Sequence, residues 1–259
     1  MSGKNLFPLA AFLLIAFSSC HKPDAELMLQ FSFSAGGDTL QQDTIRYTNA
    51  AGNIFSVTEV QYFVSKVLLT KEDGTQYALS TDNGIHYVDA DIPATLRWLL
   101  QDDRLPLGKY TQIDFVFGLA PEYNITHYFL NPPENSMSWP EALGGGYHHM
   151  KLNGKWGNSP LSSSPIPFAM HLGTGQIYEN QQIVSFVDNI FNVSILLSDV
   201  ILSEEGVNTV RLNMDILQWF QDPFVFDFAQ DGTAIMQNQT AMGKLVANGE
   251  TVFSAHSNH

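Results

Sequence analysis

The stretch from Asn135 to Gly173 collects most of the side chains of this chain that could do chemistry. It holds three of the eight histidines, His148, His149 and His171, and several methionines, among them Met150. Imidazole nitrogen is a ligand for copper and zinc, and thioether sulfur suits Cu(I) best. These residue types indicate a soft-metal site, and they match copper better than calcium, although no HExxH or Cx2C spacing accompanies them.

Three glycines, Gly144 to Gly146, lead into the alternating segment Tyr147 to Leu152, which predicts a loop delivering a strand. Side chains alternate between the two faces of a strand, so His148 and Met150 are expected on one face and His149 on the other. At most one of the two adjacent histidines then joins a given site. By the same parity, Met150 is the better partner for His148, and Met170 faces away from His171.

Two other classes of function remain open from the residues. The chain contains the serine, histidine and acidic residues that a hydrolase needs, but no GxSxG motif occurs. Nothing in the sequence places the available carboxylates Asp114, Glu122 and Glu141 together. A binding module that recognises a protein or a glycan through the aromatic-rich loops of residues 121–146 is the alternative to metal binding.

The first residues indicate export and a lipid anchor. The apolar run Leu6 to Phe17 is too short for a membrane-spanning helix, which needs about 20 residues, and fits a signal peptide. It ends in Ser18-Ser19-Cys20, which resembles a bacterial lipobox. We therefore predict a lipoprotein signal peptide at 1–19, a lipidated Cys20, a tether at 20–26 and a domain at 27–259. The expected location is the periplasm or the cell surface, on the outer membrane.

Cysteine usage and charge exclude several functions. Cys20 is the only cysteine, so no disulfide, thiolate nucleophile or Cys-ligated metal site is expected in the domain. The formal net charge is −14, which repels phosphate backbones and argues against nucleic-acid binding.

The pattern of apolar and polar residues along the chain predicts the strands and loops that position the candidate metal ligands. Ile54 to Leu69 has no Gly or Pro and reads as strand, with its phase slipping near Glu59, which predicts a bulge. Its predicted inward set is Val57, Val60, Tyr62, Val64 and Val67. Residues 121–133 read as a long loop, and Thr233 to Asn248 has a helical period with an apolar stripe of Ile235, Met236, Met242 and Leu245. We predict an all-β, antiparallel β-sandwich with long rim loops and a short C-terminal helical segment.

Several segments together resemble one family. These segments closely resemble MbnP-like lipoproteins of Bacteroidetes. In chain order they are VTEVQYFVSKVLL, LPLGKYTQIDFVFGL, SWPEALGGGYHHMKLNG, PFAMHLG and LNMDILQWF. The resemblance implies a β-sandwich lipoprotein without catalytic activity, and copper binding for the founding members. By position, His148 falls in the family's GYH segment and His171 in its HLG segment. The predicted metal-site residues are therefore His148 and His171, with Met150 and His149 beside them.

The resemblance also implies a partner. In proteins similar to the founding members, a tryptophan is oxidised to kynurenine by a dihaem peroxidase-like partner and then helps to hold copper. No tryptophan lies in Phe55 to Leu69, where it is expected, and the sequence assigns the modification to none of Trp98, Trp139, Trp156 and Trp219. The predicted function is an extracytoplasmic, lipid-anchored copper-binding protein that captures or delivers the ion and is not an enzyme.

Overall fold

The computed structural model describes residues 24–157 and 164–257, within which the chain forms sixteen strands and two α-helices. The predicted signal peptide and Cys20 lie outside the described residues. The strands are β1 Asp24–Ala35, β2 Asp38–Thr39, β3 Tyr47–Thr48, β4 Ile54–Lys71, β5 Gln76–Ala78, β6 Ile85–Asp89, β7 Arg97–Leu99, β8 Leu105–Pro106, β9 Gly108–Phe117, β10 Met150–Gly157, β11 Ile166–Leu172, β12 Thr174–Glu179, β13 Gln182–Asp188, β14 Phe191–Leu202, β15 Val207–Asp215 and β16 Phe253–Ser257.

The smaller sheet has six strands in the order β16-β15-β1-β2, with β7 and β8 also paired to β1. Strand β1 begins at Asp24, so the first residues of the domain include part of the predicted tether. Ala25 already faces inward, which extends the alternation of Leu27 and Leu29 by one step. The pair β1–β15 is parallel, from Glu26 to Ser34 along β1, and the other pairs in this sheet are antiparallel.

The larger sheet has eight strands in the order β11-β10-β4-β9-β14, with β3, β5 and β6 paired to β4, and all its pairs are antiparallel. Strands β12 and β13 form a separate hairpin. The all-β sandwich predicted from the sequence is confirmed. Strand β4 is its central element, since five other strands pair with it.

Aromatic side chains fill the space between the two sheets. Phe31 of β1 meets Tyr62 of β4 edge-on, with ring centroids 6.3 Å apart, and Phe253 of β16 meets Phe115 of β9 at 5.2 Å. Such contacts combine a large buried apolar area with the favoured edge-to-face geometry. The predicted inward residues of β4 are all buried: Val57, Val60, Tyr62, Val64 and Val67.

The predicted bulge near Glu59 is present in β4. Asn153 of β10 pairs with Glu59, whereas the next residue, Gly154, pairs with Val57, so that Thr58 has no partner in the register. An extra residue of this kind lets Val57 and Val60, three positions apart, both face the core. It also leaves Glu59 on the outer face of the sheet.

The long rim loop covers part of that outer face. A second buried cluster lies beneath it, formed by Phe63, Ile85, Tyr87, Leu119, Met137 and Tyr147. Phe129 of the loop stacks on Phe63 at 5.3 Å, and its N–H donates to the Tyr147 hydroxyl at 2.7 Å. The loop is therefore fixed to the sheet by a small core of its own.

The C-terminal helix is shorter than predicted. Helix α1 spans Phe228–Asp231 and α2 spans Gln239–Gly249, so Ile235 and Met236 precede the helix rather than belong to it. The Asn238 side chain accepts a hydrogen bond from the N–H of Ala241 and so defines the start of α2. No helix in the described parts of the chain is long and apolar enough to cross a membrane.

Candidate metal centre

The structure brings His148 and His171 together. His171 lies on β11 opposite Lys151 of β10, and His148 lies in the segment that enters β10. The two imidazole rings are nearly perpendicular, at 84°, with centroids 4.9 Å apart. Metal–imidazole bonds are about 2.0–2.1 Å long, so one ion can contact both rings at a separation of this order.

Met150 does not share a face with these rings, which corrects the prediction. The strand begins only at Met150, because the N–H of His148 donates to Met137 O, at 2.6 Å, rather than continuing the sheet register. Met150 pairs with Leu172 and is fully buried on the core side, whereas Lys151 and His171 occupy the outer side. Met170 is likewise buried and faces away from His171, as its parity predicts.

The imidazole ring of His149 points away from the His148–His171 pair, towards Gly118 and Leu119. Its Nδ1 accepts a hydrogen bond from the backbone N–H of Leu119 at 3.2 Å, so the ring proton is on Nε2. The ring lies so close to Gly118 that a Cβ there would come within 2.8 Å of it. His149 is fully buried and does not contribute to the His148–His171 pair, which corrects its inclusion among the predicted metal-site residues. The strand parity that separates adjacent side chains explains why only one of the two neighbours joins the pair.

Each imidazole of the pair is held through one ring nitrogen by a neighbouring polar group. His148 Nδ1 donates to the carbonyl oxygen of Met137 at 2.9 Å. His171 Nε2 lies 2.8 Å from Asn153 Oδ1, and its Nδ1 is buried without a partner in the described structure. Metal-binding histidines commonly show this arrangement, with the second nitrogen held by a neighbouring polar group.

Burial keeps both imidazoles neutral. It lowers the pKa of His148 to about 4, although the carbonyl of Met137 acts in the opposite direction. Burial also lowers the pKa of His171 to about 3, helped by the nearby His148 and Lys151. The Lys151 ammonium is held by the carbonyl oxygen of Ser136 at 2.8 Å. Because only the neutral imidazole binds a metal, both rings are in the competent state at neutral pH.

Trp139 forms one wall of the site. Its indole meets His148 edge-on at 4.7 Å, and its Nε1 donates to Leu143 O at 3.1 Å. Gly173 leaves room for this ring, since a Cβ there would lie 2.4 Å from it. Of the tryptophan ring contacts in the described structure, only that of Trp139 involves either histidine of the pair.

The donor set is small and without charge. The described residues contain no cluster of three or more His, Cys, Asp or Glu side chains that could hold a metal ion. Two neutral imidazoles without a carboxylate suit copper rather than calcium or magnesium, which take oxygen ligands. The sequence reasoning missed Asn153, because nothing in the pattern relates it to His171, and it left Trp139 as one of four equivalent tryptophans.

Comparison with known proteins agrees with this fold. The model of the MbnP family matches residues 24–240. The structure is similar to that of MbnP from Methylosinus trichosporium, with a TM-score of 0.58 and 13% sequence identity over 90% of this chain and 99% of that one. Among curated proteins, none matches. Because the family model spans most of the chain, this protein belongs to the MbnP family.

Proposed function

We propose that this protein binds a copper ion between His148 and His171 and captures or delivers it, without catalysing a reaction. The observation that carries the proposal is the buried Nδ1 of His171, which has no partner in the described structure and belongs to a ring 4.9 Å from that of His148. An unsatisfied buried polar atom costs about 1–3 kcal/mol. A bound ion would remove this cost. Family membership supports a metal-related role.

The test is a copper titration of the protein and of the double variant His148→Ala/His171→Ala. The wild-type protein is expected to take up one equivalent of Cu(I) in competition with a chromophoric chelator, and the double variant none, because both donor nitrogens are gone. His256→Ala is the matched control, since His256 is exposed on β16. Retention of one equivalent by the double variant would refute the assignment.

The alternative is an interaction module that uses the loops of residues 121–146. Two apolar side chains in this loop favour it, because Ile125 and Leu130 are 55% and 78% exposed. Under this alternative both histidines are structural, and the wild-type protein and the double variant take up equally little copper in the titration above.

The partner and the location remain proposals that rest on the resemblance and on the N-terminal sequence. A lipid at Cys20 would hold the domain at the outer membrane, facing the periplasm or the cell surface. If a dihaem peroxidase-like protein oxidises a tryptophan of this chain, we expect Trp139 to be the target because it contacts His148. Peptide mass spectrometry of protein isolated from its own cells checks this, and a modified Trp98, Trp156 or Trp219 with unmodified Trp139 would contradict it.

A further inference from the structure

The two ring nitrogens of His171 are not equivalent, and Asn153 determines which of them is protonated. Asn153 pairs with Ala169 of β11 on one side and with Glu59 of β4 on the other. Ala169 and His171 are two residues apart on the same face of β11. The Asn153 side chain therefore lies between the carboxylate of Glu59 and the imidazole of His171.

Hydrogen bonding fixes the orientation of the Asn153 amide. Asn153 Nδ2 donates to Glu59 Oε2, and because a carboxylate can only accept, the amide nitrogen must face Glu59. Oδ1 then faces His171 at 2.8 Å. An amide oxygen can only accept as well, so His171 Nε2 must carry the ring proton. The lone pair of the ring is consequently on the buried Nδ1.

We propose that Glu59 and Asn153 are positioning residues that hold His171 in the tautomer with its proton on Nε2, so that Nδ1 presents the lone pair to an ion. The assignment of the tautomer stands on hydrogen bonding in the metal-free protein. Only its last step, from lone pair to metal, rests on the proposed function.

The bulge in β4 is part of this arrangement. In a regular strand without the bulge, Glu59 would face the core together with Val57, because the two residues are two positions apart. The bulge places Glu59 opposite Asn153 on the outer face.

The other charged groups on this face have partners of their own. The Lys151 ammonium donates to Ser136 O, and Asp89 accepts from Gln61 Nε2 at 3.0 Å and from the Tyr87 hydroxyl at 2.8 Å. Glu59 is therefore the carboxylate that orients Asn153.

The experiment compares Glu59→Leu with Glu59→Gln in the metal-free protein. Leucine removes the acceptor, so the Asn153 amide is free to turn and donate Nδ2–H to His171 Nε2, which moves the ring proton to Nδ1. Glutamine keeps an acceptor oxygen and is expected to preserve the tautomer. The ¹⁵N chemical shifts of His171 distinguish the two tautomers directly. Asn153→Leu provides a second test, because it removes the acceptor of the Nε2 proton and should leave a mixture of both.

Copper affinity is measured on the same variants. It is expected to fall roughly 10- to 100-fold in Glu59→Leu and to stay at the wild-type value in Glu59→Gln. An unchanged His171 tautomer in both Glu59→Leu and Asn153→Leu would overturn the positioning role. An altered tautomer with unchanged copper affinity would support the positioning role and overturn the assignment of Nδ1 as ligand. A wild-type protein that takes up no copper would refute the proposed function, while the ¹⁵N shifts would still decide the tautomer.

Discussion

Lowering the pH from 6.5 to 5 is expected to destabilise the metal-free protein by about 2 kcal/mol through His149 alone. Burial lowers the pKa of His149 to about 3, with the neighbouring His148 acting in the same direction. The unfolded chain, in which histidine has a pKa of about 6.5, binds a proton in this range, and the folded protein does not. The contribution of His149 is therefore fully present above pH 6.5 and is lost as the pH falls towards 3.

Three other histidines also destabilise the folded protein as the pH falls. The pKa values of His148, His171 and His86 are all lowered, in each case mainly by burial. The pKa values of Asp103 and Glu122 are lowered by hydrogen bonds from Ser80 and Thr81 and from Lys66, respectively, so their contribution to stability is lost only as the pH falls below about 4.5. The window from pH 6.5 to 5 consequently isolates the histidines.

Urea unfolding at pH 7 and at pH 5 measures the effect. His149→Gln is expected to lose about 2 kcal/mol less than the wild-type protein between these two pH values, whatever its stability at pH 7. His256→Ala, which alters an exposed side chain, should show the full wild-type loss. A free energy of unfolding that does not change with pH in this window would contradict the burial of neutral histidines.

The lowered pKa values of His148 and His171 extend the pH range in which these side chains can bind a metal. An exposed histidine pair loses its metal as the pH falls below about 6.5, because protons compete for the lone pairs. Here His148 and His171 stay neutral to about pH 4. The proposed copper binding is therefore expected to persist at pH 5.

Replacing Gly154 by alanine is expected to destabilise the protein by about 3 kcal/mol, the upper end of the usual cost of overpacking. The new Cβ would lie 2.0 Å from the backbone oxygen of Ser56 and 2.5 Å from the ring of Phe168. Backbone cannot yield as a flexible side chain does, and Gly154 lies beside the bulge, where β10 pairs with both β4 and β11. Thermal or urea unfolding measures the loss.

Gly243→Ala is the matched control for this substitution. Gly243 lies inside α2, and a Cβ there would meet nothing within 4 Å. Alanine is a better helix former than glycine by about 1 kcal/mol, so this variant should be slightly more stable than the wild-type protein. Equal stability of the two variants would show that the close approach at Gly154 is tolerated.

The sequence by itself determined the fold class and the interior of the central strand. The alternation in Ile54 to Leu69 predicted the buried residues of β4, and its phase slip predicted the bulge, because both follow from local periodicity. The same reasoning placed Met150 beside His148 and was wrong there. Periodicity holds only within a regular strand, and a hydrogen bond to Met137 delays the start of β10 until Met150.

Only the tertiary structure decided how the site is assembled. The approach of His148 to His171, the contact of Trp139, and the link from Glu59 through Asn153 all join segments that are distant in the chain. Sheet register fixes these neighbours, and register depends on bulges and on pairing between strands far apart in sequence. The sequence can indicate which residues belong to such a site. The pairing of β4, β10 and β11 determines which of their atoms face each other.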